Sequence, residues 1–144
     1  MLLMELHKAK WSICAVAEKQ DTGGHSTCMD LAPGGRKADR DNLGATLDFA
    51  VAQKQGLKAL GSHMCHCVSD KDEIWQVTKG RLRLLWFYGE GEKIVICCNL
   101  HLKKGQKVNP DEVAKAVKFR DQYFSDMDAG NIIFLDDEEH DHGK

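Results

Sequence analysis

Seven basic residues lie within a short stretch of the second half of the chain, with only two acidic residues among them. This stretch, Lys79 to Lys107, has a local net charge of +5, although the whole chain has a net charge of −2. Cations gathered in this way, with no paired carboxylates on the same elements, suit the binding of a polyanion such as a nucleic-acid backbone. The other interpretation is a set of solvated surface charges, which composition alone favours. The basic residues are Lys79, Arg81, Arg83, Lys93, Lys103, Lys104 and Lys107.

Three hydrophobic runs would position these cations. Ile74 to Thr78, Arg81 to Tyr88 and Lys93 to Leu100 are typical of β-strands. The turns between them are short, at Lys79-Gly80 and at Gly89 to Glu92, so the runs predict an antiparallel meander. The third run is almost continuously apolar, which indicates a central strand covered on both faces.

The meander predicts which cations meet. Strand alternation puts Arg81 and Arg83 on one face, and Leu85 and Phe87 continue that face. In an antiparallel pair the start of one strand neighbours the end of the next. Both arginines are therefore expected near Leu100 to Lys104.

A helix is clearly indicated after the basic stretch. Asn109 is a suitable N-cap, Pro110 suits the first helical position, and Asp111 and Glu112 favour the positive end of the helix dipole. The apolar spacing predicts that this helix runs to about Phe124.

The remaining segments complete a single α+β domain over residues 1–135. An acidic tail with a charge of −4, Asp136 to Lys144, is expected to be disordered. The other predicted segments are a strand from Lys10 to Ala17, a long polar loop from Gln20 to Arg36, a helix from Asp41 or Asn42 to about Gln55 with Gly56 at its end, and a short strand from Asn131 to Leu135.

Several function classes find no support. The chain has no phosphate-binding glycine loop, no nucleophile elbow and no zinc-protease motif. It has no apolar run long enough to span a membrane and no secretory signal, so a cytoplasmic protein with reduced cysteines is expected. A zinc-stabilised module is the weakest alternative, because Cys65 and Cys67 are separated by only one residue near His63 and His66.

The order of motifs between Glu73 and Phe124 resembles a known family. A strand IWQV precedes a KG turn and the strand RLRLLWFY, and a hydrophobic strand then leads to HLKKGQK and to the helix start NPDEVAKA. This order is similar to the RelE superfamily of toxin components of toxin–antitoxin systems, particularly its HigB-like, phage-derived branch.

The resemblance implies both a fold and an activity. The implied fold is a small, twisted, mainly antiparallel sheet with helices packed on one face. The implied activity is that of a ribosome-dependent mRNA endonuclease, in which the ribose 2′-OH attacks the adjacent phosphate without a metal or other cofactor. The implied partners are mRNA on the ribosome and a cognate antitoxin, usually a helix-turn-helix protein encoded next to the toxin.

The resemblance also implies roles for individual residues. Arg83 matches the family's strand arginine and is expected to hold the scissile phosphate, supported by Arg81 and Lys79 in binding RNA. His101 is a candidate acid or base, because imidazole titrates near neutral pH. The basic loop that contains Lys103, Lys104 and Lys107 is expected to bind the RNA backbone or to supply a base.

Two residues of the last helix are further candidates. Arg120 is expected to bind RNA and Tyr123 to take part in catalysis, although core packing is an equally good interpretation of Tyr123. A non-catalytic nucleic-acid-binding or protein-binding module on the same fold remains the alternative function.

Overall fold

The computed structural model describes residues 1–30, 36–103, 105 and 107–135. The predicted acidic tail, residues 136–144, lies outside the described residues. None of the helices in the described part of the chain is long and apolar enough to cross a membrane. The strands are β1 (Leu2–Lys8), β2 (Ser12–Lys19), β3 (His25–Thr27), β4 (Cys65–Ser69), β5 (Ile74–Lys79), β6 (Leu82–Tyr88), β7 (Ile94–Leu102) and β8 (Ile133–Leu135), and the α-helices are α1 (Lys37–Val51) and α2 (Pro110–Ala129).

The strands form one mostly antiparallel sheet. Its order is β4-β5-β6-β7-β2-β1-β8, and β3 pairs with β2 outside this path. Strands β5, β6 and β7 pair antiparallel in sequence, which confirms the predicted meander. The early strand β2 joins the sheet beside β7 in parallel orientation, so β7 is central, as its apolar sequence predicts. The α+β class is therefore confirmed.

The two helices pack on opposite faces of this sheet. Helix α1 buries Leu43 and Leu47 in the core that contains Leu84 and Trp86. Helix α2 instead packs against Leu85 and Phe87, which belong to a second core. Since successive residues of a strand point to opposite faces, the two cores lie on opposite sides of β6. The expectation of helices on one face is wrong, because both sets of alternating β6 side chains are apolar and each set needs cover.

Helix α2 begins as predicted. The side chain of Asn109 accepts a hydrogen bond from the backbone N–H of Asp111 at 3.0 Å, and Pro110 occupies the first turn. The helix runs beyond the predicted end at Phe124 and stops at Ala129. It ends there because Gly130 adopts a left-handed conformation with φ of 74°, which favours glycine.

Helix α1 differs from the prediction at both ends. It begins at Lys37, after an N-cap at Arg36 that makes no side-chain capping bond, so Asp41 lies inside the helix. It ends at Val51, before the predicted Gly56. That glycine has φ of 62°, and a Cβ there would lie 2.8 Å from the Trp11 ring. Its function is close packing in a later 3₁₀ turn, Gly56–Leu60, and not the termination of the helix.

The predicted long polar loop is partly ordered. Residues 25–27 form β3, and Cys28–Asp30 form a 3₁₀ turn that buries Cys28. The carboxylate of Asp30 accepts a hydrogen bond from the Thr27 backbone at 2.8 Å, which closes this turn. Residues 31–35 lie outside the described residues. Strands β1 and β4 were not predicted either, because mixed polar and apolar residues obscure their alternation.

Candidate functional site

A cavity of about 240 Å³ opens on the α2 side of the sheet, beyond the N-terminus of α2. We call it the cationic cavity. It lies over the ends of β5, β6 and β7, where α2 no longer covers the sheet. The described residues that line it are His63, His66, Gln76, Thr78, Arg83, His101, Lys103, Gly105, Lys107, Val108 and Asn109.

The strand register explains why these side chains meet. Thr78, Arg83 and His101 are direct neighbours across β5, β6 and β7. His66 and Gln76 form the next row of the same face, across β4 and β5. Opposite side chains in such pairs have Cβ atoms only about 4.5–5.5 Å apart. The predicted approach of Arg83 to the end of the third meander strand is therefore confirmed.

Arg83 is held in place by the backbone of its own hairpin. Its Nη1 donates hydrogen bonds to the carbonyl oxygens of Gly80 at 2.8 Å and Leu82 at 2.9 Å. Partial burial lowers the pKa of its guanidinium from the usual value, but arginine remains charged at neutral pH. Within the described ranges, no carboxylate lies within salt-bridge distance of it. The guanidinium is thus a fixed positive charge that is available to an anion.

The electrostatics of the cationic cavity favour a phosphate. Its described lining contains the positive side chains of Arg83, Lys103 and Lys107 and no Asp or Glu. The backbone N–H of Lys103 donates to the Arg81 carbonyl at 2.7 Å, which fixes the end of β7 against the hairpin turn. Asn109 brings the positive end of the α2 dipole to the same rim. The positive side chains and the helix dipole therefore both attract an anion.

Sequence reasoning missed the part that β4 contributes. His63 and His66 were considered only as zinc ligands, yet both line the cationic cavity with His101. The His66 ring nitrogen Nε2 lies 3.5 Å from the amide nitrogen of Gln76. The available signal was the alternation in Cys65–Ser69, which buries Cys65 on the α1 side and turns His66 to the other face. Three imidazoles around one cavity supply candidate proton donors and acceptors.

The candidate zinc ligands are dispersed. Cys28 and Cys97 lie in the α1-side core, whereas Cys98 lies in the α2-side core. In the part of the chain that the structure describes, no group of three or more His, Cys, Asp or Glu side chains could hold a metal ion. Burial raises the pKa of the Cys28 thiol to about 12 and that of Cys65 to about 11. Such thiols stay protonated and are poor nucleophiles.

Two predicted site residues of α2 lie away from the cationic cavity. Tyr123 is fully buried, and its hydroxyl accepts a hydrogen bond from the Glu90 backbone at 3.0 Å, so its packing corresponds to the core interpretation. Arg120 lies 3.6 Å from a Glu73 carboxylate oxygen and 4.9 Å from the centre of the Phe124 ring.

The remaining candidates occupy three different places. Lys79 lines an open cavity with Asn42 and Phe49 of α1, on the opposite face from Arg83. Arg81 is exposed at the hairpin turn. Lys104 lies outside the described residues.

The structure therefore brings together Arg83, His101, Lys103 and Lys107 from the predicted set. It adds His63 and His66 to them.

No protein-family model matches the chain, and no match was found among curated proteins.

Proposed function

We propose that this chain is the RelE-like toxin component of a toxin–antitoxin system and acts as a ribosome-dependent mRNA endonuclease. The observation that carries the proposal is the cationic cavity. It combines a fixed arginine, two lysines and three histidines, and no carboxylate lies among its described lining residues. A cavity of this composition suits the phosphate and ribose of a single RNA strand.

The proposed reaction is a transesterification within the RNA. The 2′-oxygen of one nucleotide forms a bond to the adjacent phosphorus, and the bond from phosphorus to the 5′-oxygen of the next nucleotide breaks. A base removes the 2′ proton, and an acid protonates the departing 5′-oxygen. The products are a 2′,3′-cyclic phosphate and a 5′-hydroxyl, and the step requires no metal.

The positions of the side chains suggest a division of roles. Arg83 stabilises the negative charge that grows on the non-bridging oxygens, the term that usually contributes most in such reactions. His101 is its direct cross-strand neighbour, so a phosphate held by Arg83 lies beside an imidazole. His66 approaches from β4 on the other side of the cavity. One neutral and one protonated histidine would supply the base and the acid.

The basic loop after β7 supports binding of the RNA strand. Lys103 and Lys107 are exposed and line the cavity, and Lys104 lies between them in the sequence. Exposed lysines suit contacts to successive phosphates, which position an RNA without reading its sequence. The proposed partners are therefore mRNA on the ribosome and, as an inhibitor, an antitoxin of the helix-turn-helix type encoded nearby. The proposed compartment is the cytoplasm, where translation takes place.

Regulated expression in bacteria tests the proposal. Wild-type protein is expected to arrest growth, and co-expression of the neighbouring open reading frame is expected to relieve the arrest. Arg83→Ala should abolish the effect, whereas Arg81→Ala, which removes the same charge from the exposed turn, should retain it. Harmless accumulation of folded wild-type protein would contradict the proposal.

The alternative, a non-catalytic module on the same fold, gives a different result. It predicts RNA binding that depends on Arg83 but no cleavage of translated mRNA. Mapping RNA ends after expression separates the two functions, since only the endonuclease produces new 5′-hydroxyl ends.

A further inference from the structure

A second cavity, of about 360 Å³, lies beside the cationic cavity on the α2 side of the sheet. The two cavities share His101 and Asn109 in their linings. The second one extends from there across β7 toward β2 and β3. We call it the Asn99 cavity, after one of the β7 residues that line it. A ligand in the cationic cavity therefore has a neighbouring space into which another part of the same molecule can extend.

A β-bulge places Asn99 in this cavity. Leu85 pairs with Asn99 but Trp86 pairs with Cys97, so Cys98 is an extra residue in β7. Cys97 and Leu100 both belong to the α1-side core, and the two residues between them face the α2 side. Without the bulge, alternation would have turned Asn99 toward α1. Bulges often re-aim a side chain in this way beside a functional site.

Within the described residues, the Asn99 side chain makes hydrogen bonds through its amide nitrogen and not through its oxygen. Its Nδ2 donates to the backbone oxygen of Glu112 at 3.1 Å and to the Glu112 carboxylate oxygen Oε2 at 3.2 Å. These two acceptors fix which amide atom is oxygen and which is nitrogen. The oxygen, Oδ1, is buried and has no hydrogen-bond partner within the described residues, although Asn99 is only 8% exposed. Leaving such an acceptor unpaired is costly, so a ligand N–H that reaches it is strongly favoured.

The other walls suit a flat group with hydrogen-bond donors. The Glu112 side chain is 16% exposed and adds a carboxylate, an acceptor group whose Oε1 lies 3.5 Å from Lys115 Nζ at the edge of the same cavity. Phe119 and Val16 supply aromatic and aliphatic surface. This combination of apolar walls with a few fixed polar groups is typical of a ligand site. Both acceptors, an amide oxygen and a carboxylate, select against a ligand that presents carbonyl oxygens to them.

We propose that the Asn99 cavity binds an RNA base next to the phosphate held by Arg83, and that it prefers guanine and disfavours uracil. Guanine presents two adjacent donors, N1–H and the 2-amino group, which match the Asn99 oxygen and the Glu112 carboxylate. Uracil presents a single N–H between two carbonyl oxygens, one of which would face an acceptor. Adenine and cytosine, each with one amino group, are intermediate. This inference rests on the proposed RNA-cleaving function, to which it adds a base preference.

Binding of short RNAs to the full chain tests the inference. The probes are four single-stranded RNA analogues, the pentanucleotides UUXUU, that differ only at X and carry fluorine in place of each 2′-hydroxyl to prevent cleavage. Wild-type protein is expected to bind the X = G probe roughly tenfold more tightly than the X = U probe, the scale of one charge-assisted hydrogen bond.

Two charge-matched variants locate the preference. Glu112→Gln should reduce the ratio of G to U affinities to near unity. Asp111→Asn removes the same charge from the neighbouring exposed position, which does not line the cavity, and should keep the ratio. Equal ratios in the two variants, or no preference in the wild type, would overturn the base site.

A measurement on the wild-type chain guards against misfolded variants. In NMR spectra, GMP is expected to shift the side-chain amide signals of Asn99, whereas UMP at the same concentration should leave them in place. Identical shifts with both nucleotides would overturn the inference. Arg83-dependent binding of all four probes with equal affinity would remove the base site and leave the proposed function intact. A Glu112-dependent preference without any mRNA cleavage would instead keep the base site and refute the endonuclease.

Discussion

The two faces of the sheet are built from alternate residues of the same strands, yet they are covered to different extents. On the α1 side, Leu82, Leu84 and Trp86 of β6 are all fully buried. On the α2 side, Leu85 and Phe87 are fully buried but Arg83 is only partly covered. Along the first half of β6, the α1 side is therefore closed from Leu82 to Trp86, whereas the α2 side is open at Arg83.

The start of helix α2 accounts for the difference. Asn109 and Pro110 fix where the helix begins, and the sheet beyond that point has no helical cover. The cationic cavity occupies this uncovered part, whereas the Asn99 cavity lies beside the first turns of α2, and the two cavities share Asn109 in their linings. A helix cap therefore marks the boundary between the core, which stabilises the fold, and the surface, which could bind RNA.

We expect the largest loss of stability from a substitution in the core on the α1 side. Trp86→Ala removes a fully buried side chain that stacks on Trp75 with ring centres 5.6 Å apart, and it should lower the free energy of unfolding by about 3–5 kcal/mol. Lys103→Ala, at the rim of the cationic cavity, should change it by less than about 0.5 kcal/mol. Chemical denaturation measures both. Comparable losses in the two variants would break the division between core and cavity.

A smaller effect is expected at the boundary. Asn109→Ala removes the capping bond to the Asp111 backbone and should cost about 1 kcal/mol of stability. Asn109→Ser retains a capping oxygen and should recover most of that loss in the same denaturation experiment. If serine were as destabilising as alanine, Asn109 would stabilise the protein by some means other than capping.

At Tyr123 we expect a still smaller loss of stability, and the same variant tests whether the hydroxyl takes part in catalysis. Tyr123→Phe keeps the ring and removes the acceptor for the Glu90 N–H, so a loss of about 0.5 kcal/mol is expected. Cleavage of mRNA should continue at the wild-type rate, because the hydroxyl lies in the core and not in the cationic cavity. A folded Tyr123→Phe protein without activity would return Tyr123 to the list of catalytic candidates.

Alkylation of the cysteines tests the core of the native protein without any substitution. Burial raises the pKa of Cys14 to about 11 and that of Cys28 to about 12, and it raises the pKa of Cys97 and Cys98 as well. These thiols are therefore protonated at pH 8 and should resist alkylation in the native protein. Burial raises the pKa of Cys67 as well, but Cys67 is partly exposed and should react first, as followed by peptide mass spectrometry. Labelling of Cys97 as fast as Cys67 would indicate that the core opens readily.

The sequence was most informative where local signals and long-range pairing agree. Asn109 and Pro110 define a helix start through their own chemistry, and the short turns around Arg81 to Tyr88 force antiparallel neighbours. The position of Arg83 beside His101 follows from the second of these features, the antiparallel pairing. No contact beyond the meander was needed to predict it.

The missed features depend on contacts between distant segments. The bulge at Cys98 leaves no mark on an apolar run that is buried on both faces, so the orientation of Asn99 could not be read from alternation. His66 reaches the cationic cavity only because β4 pairs with β5. Lys79 lies on the opposite face from Arg83 because it pairs with Leu82, the residue before Arg83 in β6. The charge of a residue does not indicate which face of the sheet it occupies.

Cleavage of a reporter mRNA in a purified translation reaction tests the central claim most directly. We expect wild-type protein to leave 2′,3′-cyclic phosphate and 5′-hydroxyl ends. Arg83→Ala should reduce the cleavage rate by roughly 10²–10³-fold, the usual cost of removing one group that stabilises transition-state charge, while Arg81→Ala should stay close to wild type. Undiminished cleavage by a folded Arg83→Ala protein would contradict the assignment of the cationic cavity as the catalytic site.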